Sequence, residues 1–391
     1  MCQKKTVSGD EKNVAVLFRL DANWKTGLGH LSRCLNLAKE CLNQGRAINF
    51  AGNLDHDARD RITAAGGIIF DSGSNGLNED RETKESGGCF RSITPGPDSG
   101  EDQIKPEPVR EPARELALLQ KAAKTAGAQV LITDCYTLPA GYHLQARKLF
   151  PLVVTIDDLN AAPPAAHILI NHNIFAPDLA YQPIFPETKL LLGPRYALLP
   201  AAFRSIGPKE IRSQVKNILV TLGGSDPSGL TLRAVKALQL SGVGAVWNVV
   251  AGPGFAKKQE LKRLAASERR INPHFAPATL LPLLTECDLV ICAGGVTAYE
   301  AATTGTPALI YILAENQRAN AEEMDMQGIA MNLGWGEATP KEVIAEEIVA
   351  LARDVRRRTR MSETGRALFD GYGPVRCAGV IQKELKFKIR R

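Results

Sequence analysis

The sequence predicts an α/β protein built from two doubly wound parallel-sheet units in tandem. Three observations predict it. Short apolar runs alternate with segments whose apolar residues recur at helical spacing, along nearly the whole chain. The alternation restarts at residue 216, with a second strong strand, a glycine-rich turn and a helix. Between the two units lies a joint over 193–213 that carries Pro194, Pro200 and Pro208. Strands separated by helices imply parallel sheets covered on both faces. At 391 residues the chain is long enough for two domains, expected over 1–200 and 201–391.

In the first unit, strands are expected over 14–20, 47–51, 67–71, 130–133, 152–157, 168–171 and 190–192. Helical spacing covers 30–44, 59–65, 112–126 and 142–149. In the second unit, strands are expected over 216–222, 246–251, 270–274, 289–292 and 308–312. Its helices are expected over 230–240, 297–304, 316–327 and 341–353. One segment breaks the rhythm. Residues 72–111 are rich in Gly, Ser, Asp, Glu and Pro and offer little apolar surface to offset ordering entropy, so a mobile insertion is expected there.

Hydrophobic residues make up 44% of the chain, as suits a protein with substantial cores. No run reaches the about 18 apolar residues of a membrane span. Residues 1–12 lack the apolar core of a signal peptide, so a cytoplasmic location is expected. The net charge is +6, with Arg356, Arg357, Arg358, Arg360, Lys386, Lys388, Arg390 and Arg391 near the end. That cluster reads as a solvated face of late helices, or as a contact with an anionic membrane surface. Aromatic residues are not interleaved with the charges, which argues against nucleic acid as a partner. The eight cysteines form no Cys-x-x-Cys pair and match no zinc module. Cys34, Cys41, Cys287 and Cys292 fall in apolar periodic segments and read as core.

The candidate chemistry sits where strands end. Gly27-Leu28-Gly29-His30-Leu31-Ser32-Arg33 follows the first strand and opens a helix, which presents unpaired N–H donors. His30 can exchange a proton near neutral pH. Arg33 lies one turn on, and Asp21 closes the strand, within reach to orient the imidazole. The third glycine of a dinucleotide fingerprint is missing. In the second unit, Gly223-Gly224-Ser225-Asp226 follows the first strand and offers backbone amides and a hydroxyl to a phosphate. Gly294, Gly295, Thr297 and Glu300 follow the strand ending at Cys292. They read as a pyrophosphate and ribose site, or as a Thr297–Glu300 capping box. Asn316 can cap its helix and Gln317 can reach a phosphate oxygen. Asp134 and Tyr136 follow another first-unit strand, and Asp134 reads as a partner of sugar hydroxyls or loop amides. Asp157-Asp158 can bind a metal, share a proton or hydrogen-bond locally. His172 lies in an Asn-His-Asn cluster, while His56, His143, His167 and His274 read as structural.

In this order the motifs resemble the UDP-sugar hydrolases of the pseudaminic acid pathway, including those described as spore coat polysaccharide proteins. These act on UDP-2,4-diacetamido-2,4,6-trideoxy-β-L-altropyranose. The resemblance runs from about Val14 to Ala350. It implies a GT-B fold, two Rossmann-like domains facing across a cleft, similar to the transferases that add N-acetylglucosamine in peptidoglycan synthesis. It further implies a UDP-sugar substrate held mainly by the second domain and His30 as the catalytic histidine. No metal or other cofactor is expected, because helix amides can serve the diphosphate. A true glycosyltransferase, a non-hydrolysing epimerase and a non-catalytic UDP-sugar-binding protein remain open alternatives.

Overall fold

The computed structural model describes residues 14–22, 29–70, 112–136, 138, 140–226 and 228–390. The expected insertion over 72–111, and Gly27 and Leu28 of the glycine-histidine motif, lie outside the described residues.

The first lobe is a seven-stranded sheet of β1 (Ala15–Leu20), β2 (Ala47–Ala51), β3 (Ile68–Phe70), β4 (Ala128–Asp134), β5 (Leu152–Ile156), β6 (Ile168–Asn171) and β7 (Lys189–Leu192). Their order is β3-β2-β1-β4-β5-β6-β7, and neighbouring strands run parallel. The second lobe is a six-stranded sheet of β8 (Asn217–Thr221), β9 (Val246–Ala251), β10 (Ile271–Phe275), β11 (Leu289–Ala293), β12 (Ala308–Ile312) and β13 (Ala330–Trp335). Its order is β10-β9-β8-β11-β12-β13, again parallel throughout. Every residue of β1, β5, β11 and β12 is buried. That explains why these strands read as continuous apolar runs: helices cover both faces.

Helices α1 (Gly29–Asn43), α2 (His56–Ala64), α3 (Pro112–Ala126) and α4 (Ala140–Leu149) belong to the first lobe. The second carries α5 (Leu230–Ser241), α6 (Lys258–Ser267), α7 (Leu281–Glu286), α8 (Val296–Thr304), α9 (Glu315–Met326), α10 (Lys341–Arg353) and α11 (Val355–Leu368). In each sheet the chain starts at a central strand, builds to one side and then jumps back beside it. The crevice at that switch, outside the carboxyl ends of the strands, is where such sheets bind ligands. Here it lies between β1 and β4 in one lobe and between β8 and β11 in the other.

The chain crosses between lobes twice. After β7, Ala197, Leu199 and Phe203 enter the core beneath the second sheet. The last helix, α12 (Gly373–Ile389), returns: Cys377, Ala378, Ile381 and Leu385 pack with the first core, on α1. The sequence reading had counted this helix with the second domain. The two crossings touch. Ser205 Oγ and Tyr372 Oη are 2.8 Å apart, and a side chain at Gly373 would sit 2.1 Å from the backbone oxygen of Ala197. Arg358, expected on a solvated face, is fully buried and donates Nη1 to the Arg212 carbonyl at 2.8 Å and Nη2 to that of Ser213 at 3.1 Å.

Replacing Ile381 by Ala leaves a cavity between α12 and the first sheet. It is expected to cost about 2–5 kcal/mol, read as a lower urea midpoint.

Candidate active site

Strand β1 ends in a charged clamp. Arg19 is 1% exposed inside the sheet, where its Nε and Nη2 each donate to Glu115 of α3 at 2.9 Å. Its Nη1 donates to Asp21 at 2.8 Å, and Asp21 also accepts from the backbone N–H of Asn53 at 2.7 Å. Asp21 therefore ties β1 to the loop after β2.

The carboxylate that orients the imidazole is Asp134, which corrects the role expected of Asp21. Asp134 Oδ1 lies 2.6 Å from His30 Nδ1. The physical reason is sheet order. β4 pairs directly with β1, placing Asp134 beside Leu20, under the first turn of α1. Asp134 is 1% exposed and accepts Arg33 Nε at 2.7 Å, Arg33 Nη2 at 2.6 Å and the Cys34 thiol at 3.4 Å. Its lone pairs thus go to protein donors and not to a sugar. Burial would raise its pKa, but Arg33 and His30 outweigh burial and hold the carboxyl well below the usual carboxylate range. A carboxylate can only accept, so the contact with Asp134 calls for a proton on His30 Nδ1, the tautomer that leaves Nε2 without one; Arg33 Nη2 also lies 3.1 Å from Nδ1.

Asp158 extends the cluster. It accepts Arg33 Nη1 at 2.9 Å, Asn173 Nδ2 at 2.8 Å and the Tyr136 hydroxyl at 2.5 Å. Burial opposes its ionisation, yet Arg33 overcomes this and lowers its pKa. The Tyr136 ring meets His30 edge-on at 4.7 Å and is 45% exposed, so it walls the imidazole on the open side. Burial, and then the negative charge of Asp158, raise the Tyr136 phenol far above its ordinary value and keep it a donor. Asp157 does not join Asp158 as a metal pair. It accepts from Tyr181 Oη at 2.5 Å and from the N–H of Asn160 at 2.9 Å. His172 is buried, its Nδ1 accepting from the N–H of Leu198 at 3.1 Å. Burial pushes its pKa down to about 4, which makes it a neutral structural ring.

In the second lobe the β8–α5 turn exposes Gly223, Gly224 and Ser225. It leans on the loop after β9: the Gly254 N–H donates to the Gly224 carbonyl at 2.9 Å, and a Cβ at Gly252 would lie 2.3 Å from that oxygen. Asp226 has a different use from the one expected. It is buried, and its two oxygens accept the N–H groups of Leu230 and Thr231 at 2.8 Å each, so it caps α5.

Gly294 and Gly295 follow β11 and lead into α8. The N-cap is Gly295, with no side-chain cap, and the capping box between Thr297 and Glu300 does not form. Of the amides that open α8, that of Ala298 donates to the Gly295 carbonyl at 3.0 Å. Burial pushes the pKa of Glu300, on the first turn, up to about 7. The start of α9 lies alongside, the backbone oxygen of Gln317 3.2 Å from the Cβ position of Gly294. The N-cap of α9 is Ala314, so Asn316 stands exposed on the first turn and does not cap it. Gln317 Oε1 accepts from the N–H of Leu313 at 3.1 Å. Its amide nitrogen lies 3.8 Å from the Cβ position of Gly295.

The structure thus brings Gly29, His30, Arg33 and Tyr136 together on one lobe, and Gly294, Gly295, Thr297, Glu300 and Gln317 on the other. Three residues that join them escaped the sequence reading: Asn173 as a site residue, Tyr299 and Asn320. Tyr299 Oη lies 3.1 Å from Asn173 Oδ1, across the lobe boundary, and 2.5 Å from Asn320 Oδ1 within the second lobe.

Residues 219–368 match the family model described as the glycosyltransferase family 28 C-terminal domain. Acinetobacter baumannii MurG aligns with a TM-score of 0.63 at 16% identity, covering 94% of this chain and 99% of that one. The fold is GT-B. The spore coat polysaccharide biosynthesis protein SpsG of Bacillus subtilis is 29% identical over 199 residues, 50% of this chain and 59% of that protein. The Helicobacter pylori pseudaminic acid cytidylyltransferase and UDP-2,4-diacetamido-2,4,6-trideoxy-beta-L-altropyranose hydrolase is 29% identical over 210 residues, 52% of this chain and 37% of that protein. The chain spans about half the length of these curated relatives.

The raised pKa of Glu300 sets a pH dependence. The folded protein holds a proton that the unfolded chain releases above about pH 4.5, so stability falls as pH rises from there to about 7. Replacing Glu300 by Gln removes this loss. The variant is expected to exceed the wild type by up to about 3 kcal/mol at about pH 8 and to match it near pH 4.5, read from melting curves at both.

Gly252→Ala pushes the Gly224 carbonyl out of place. It is expected to disturb the Gly223–Ser225 turn, read as a melting temperature below that of wild type.

Proposed function

We propose that this protein is a UDP-sugar-dependent enzyme of the glycosyltransferase type, with His30 as general base. The observation that carries this reading is the His30–Asp134 pair: a ring held through Nδ1 by a buried carboxylate, in one hydrogen-bonded network with α8. UDP is read as lying on the second lobe. Its diphosphate would take the first amides of α8 and those of the Gly223–Ser225 turn, Glu300 would accept from the ribose hydroxyls, and Asn316 and Gln317 would border the phosphates. Arg33 and Tyr136 would flank the sugar.

In the reaction the anomeric C–O bond to the diphosphate breaks, and its electron pair leaves on the diphosphate oxygen. Helix amides stabilise that growing charge. An acceptor oxygen bonds to the anomeric carbon and gives its proton to His30 Nε2. Asp134 stabilises the imidazolium that results. With a sugar or lipid hydroxyl as acceptor the protein is a transferase, the reading favoured by the family 28 match over 219–368. With water as acceptor it is a hydrolase of a UDP-linked 2,4-diacetamido-2,4,6-trideoxy sugar. The similarity to the Helicobacter pylori protein favours that second reading. A non-catalytic binding protein has no need of a polarised histidine.

Incubation with a panel of UDP-sugars, followed by NMR, separates these readings. UDP and free sugar without any acceptor identify the hydrolase, and UDP release only with an acceptor identifies the transferase. An isomerised UDP-sugar, or none consumed in either case, overturns the proposal. His30→Asn is expected to lower kcat by about 10²–10⁴ and leave UDP affinity within about twofold.

A further inference from the structure

A continuous set of hydrogen bonds runs from the His30 ring to α8. Arg33 bridges Asp134 and Asp158. Asp158 accepts from Asn173 Nδ2 at 2.8 Å. Asn173 Oδ1 in turn faces Tyr299 Oη and Asn320 Nδ2, each at 3.1 Å. The backbone N–H of Ile174 also donates to Tyr299 Oη, at 3.3 Å. Asn173 belongs to the loop after β6 in the first lobe, whereas Tyr299 and Asn320 stand on α8 and α9 in the second.

Tyr299 is 1% exposed, and its ring stacks on Phe369 at 4.7 Å. A phenylalanine would make the same stack. The hydroxyl serves polar contacts alone, and a buried polar group of this kind is costly unless every partner is in place. Tyr299 also precedes Glu300 on the helix whose N-terminus forms the proposed diphosphate site. A small displacement of α8 therefore moves the hydroxyl against Asn173.

We propose that Tyr299 is a positioning residue that, through Asn173 and Asp158, sets Arg33 and the His30–Asp134 pair according to how α8 sits on bound nucleotide. The inference rests on the UDP-sugar reading above. Binding on one lobe would then complete the base on the other before the acceptor is activated.

The test compares wild type with Tyr299→Phe and Asn173→Ala. UDP affinity is measured by calorimetry, turnover on the UDP-sugar, and the ¹⁵N imidazole signals of His30, assigned with His30→Asn, with and without UDP. In wild type, UDP is expected to shift the His30 signals. In Tyr299→Phe that shift is lost and kcat falls about tenfold or more, while KM and UDP affinity stay within about twofold. Asn173→Ala reproduces the same split. If His30 responds to UDP equally in wild type and Tyr299→Phe, the inference is overturned while the functional reading stands. A Tyr299→Phe protein that loses UDP affinity and thermal stability with kcat, beside an Asn173→Ala protein with normal turnover, likewise overturns it. If UDP fails to bind wild type, the functional reading falls, and this inference with it.

Discussion

The site depends on one buried charge. The Asp134 carboxylate is sealed between β4 and α1, where ionisation is costly unless cations and donors surround it. Arg33 supplies two donors and His30 a third. The arrangement fixes three things at once: the rotamer of Arg33, the tautomer of His30, and the direction in which its remaining lone pair points. The backbone supports it from below, because Asp134 stands opposite Leu20 in the β1–β4 register. The imidazole therefore takes its orientation from a pairing of strands.

The two lobes share a topology but use their switch points in opposite ways. In the first, nearly every charge is spoken for: Arg19 by Glu115 and Asp21, Arg33 by Asp134 and Asp158. Such a surface holds a reactive group in one geometry. In the second, α8 begins at Gly295 without a side-chain cap, and among the described residues no charge offsets the burial of Glu300. Groups of that kind favour a polar ligand able to pair with them. Under the proposed reading, one crevice serves proton transfer and the other the capture of nucleotide.

Much of the fold was legible. Strands buried on both faces betray themselves as apolar runs, and the restart at 216 separates the lobes. β13 escaped because Asn332 and Gly334 interrupt its apolar residues, at the edge of the sheet. The return of α12 escaped because an amphipathic pattern says that a face is buried, not against what. The motifs singled out His30, Arg33 and Glu300, and the structure sets His30 and Arg33 around one carboxylate. The partner of His30 was misassigned because Asp21 is near in sequence, whereas Asp134 is near only once β4 is laid beside β1. Tyr299 sits among small and apolar helix residues, and only a contact 126 residues away reveals the use of its hydroxyl. Whether nearby amides claim Asp226 or Thr297 is settled only by backbone geometry.

The return of α12 also bears on biosynthesis. A ribosome delivers the first sheet early, yet part of that sheet's apolar cover, from Cys377 to Leu385, is made only after the whole second sheet. Until then α1 presents a bare greasy strip to the cell. The first core therefore closes only once residues 377–385 are made, after both sheets, so its completion waits on the second half of the chain.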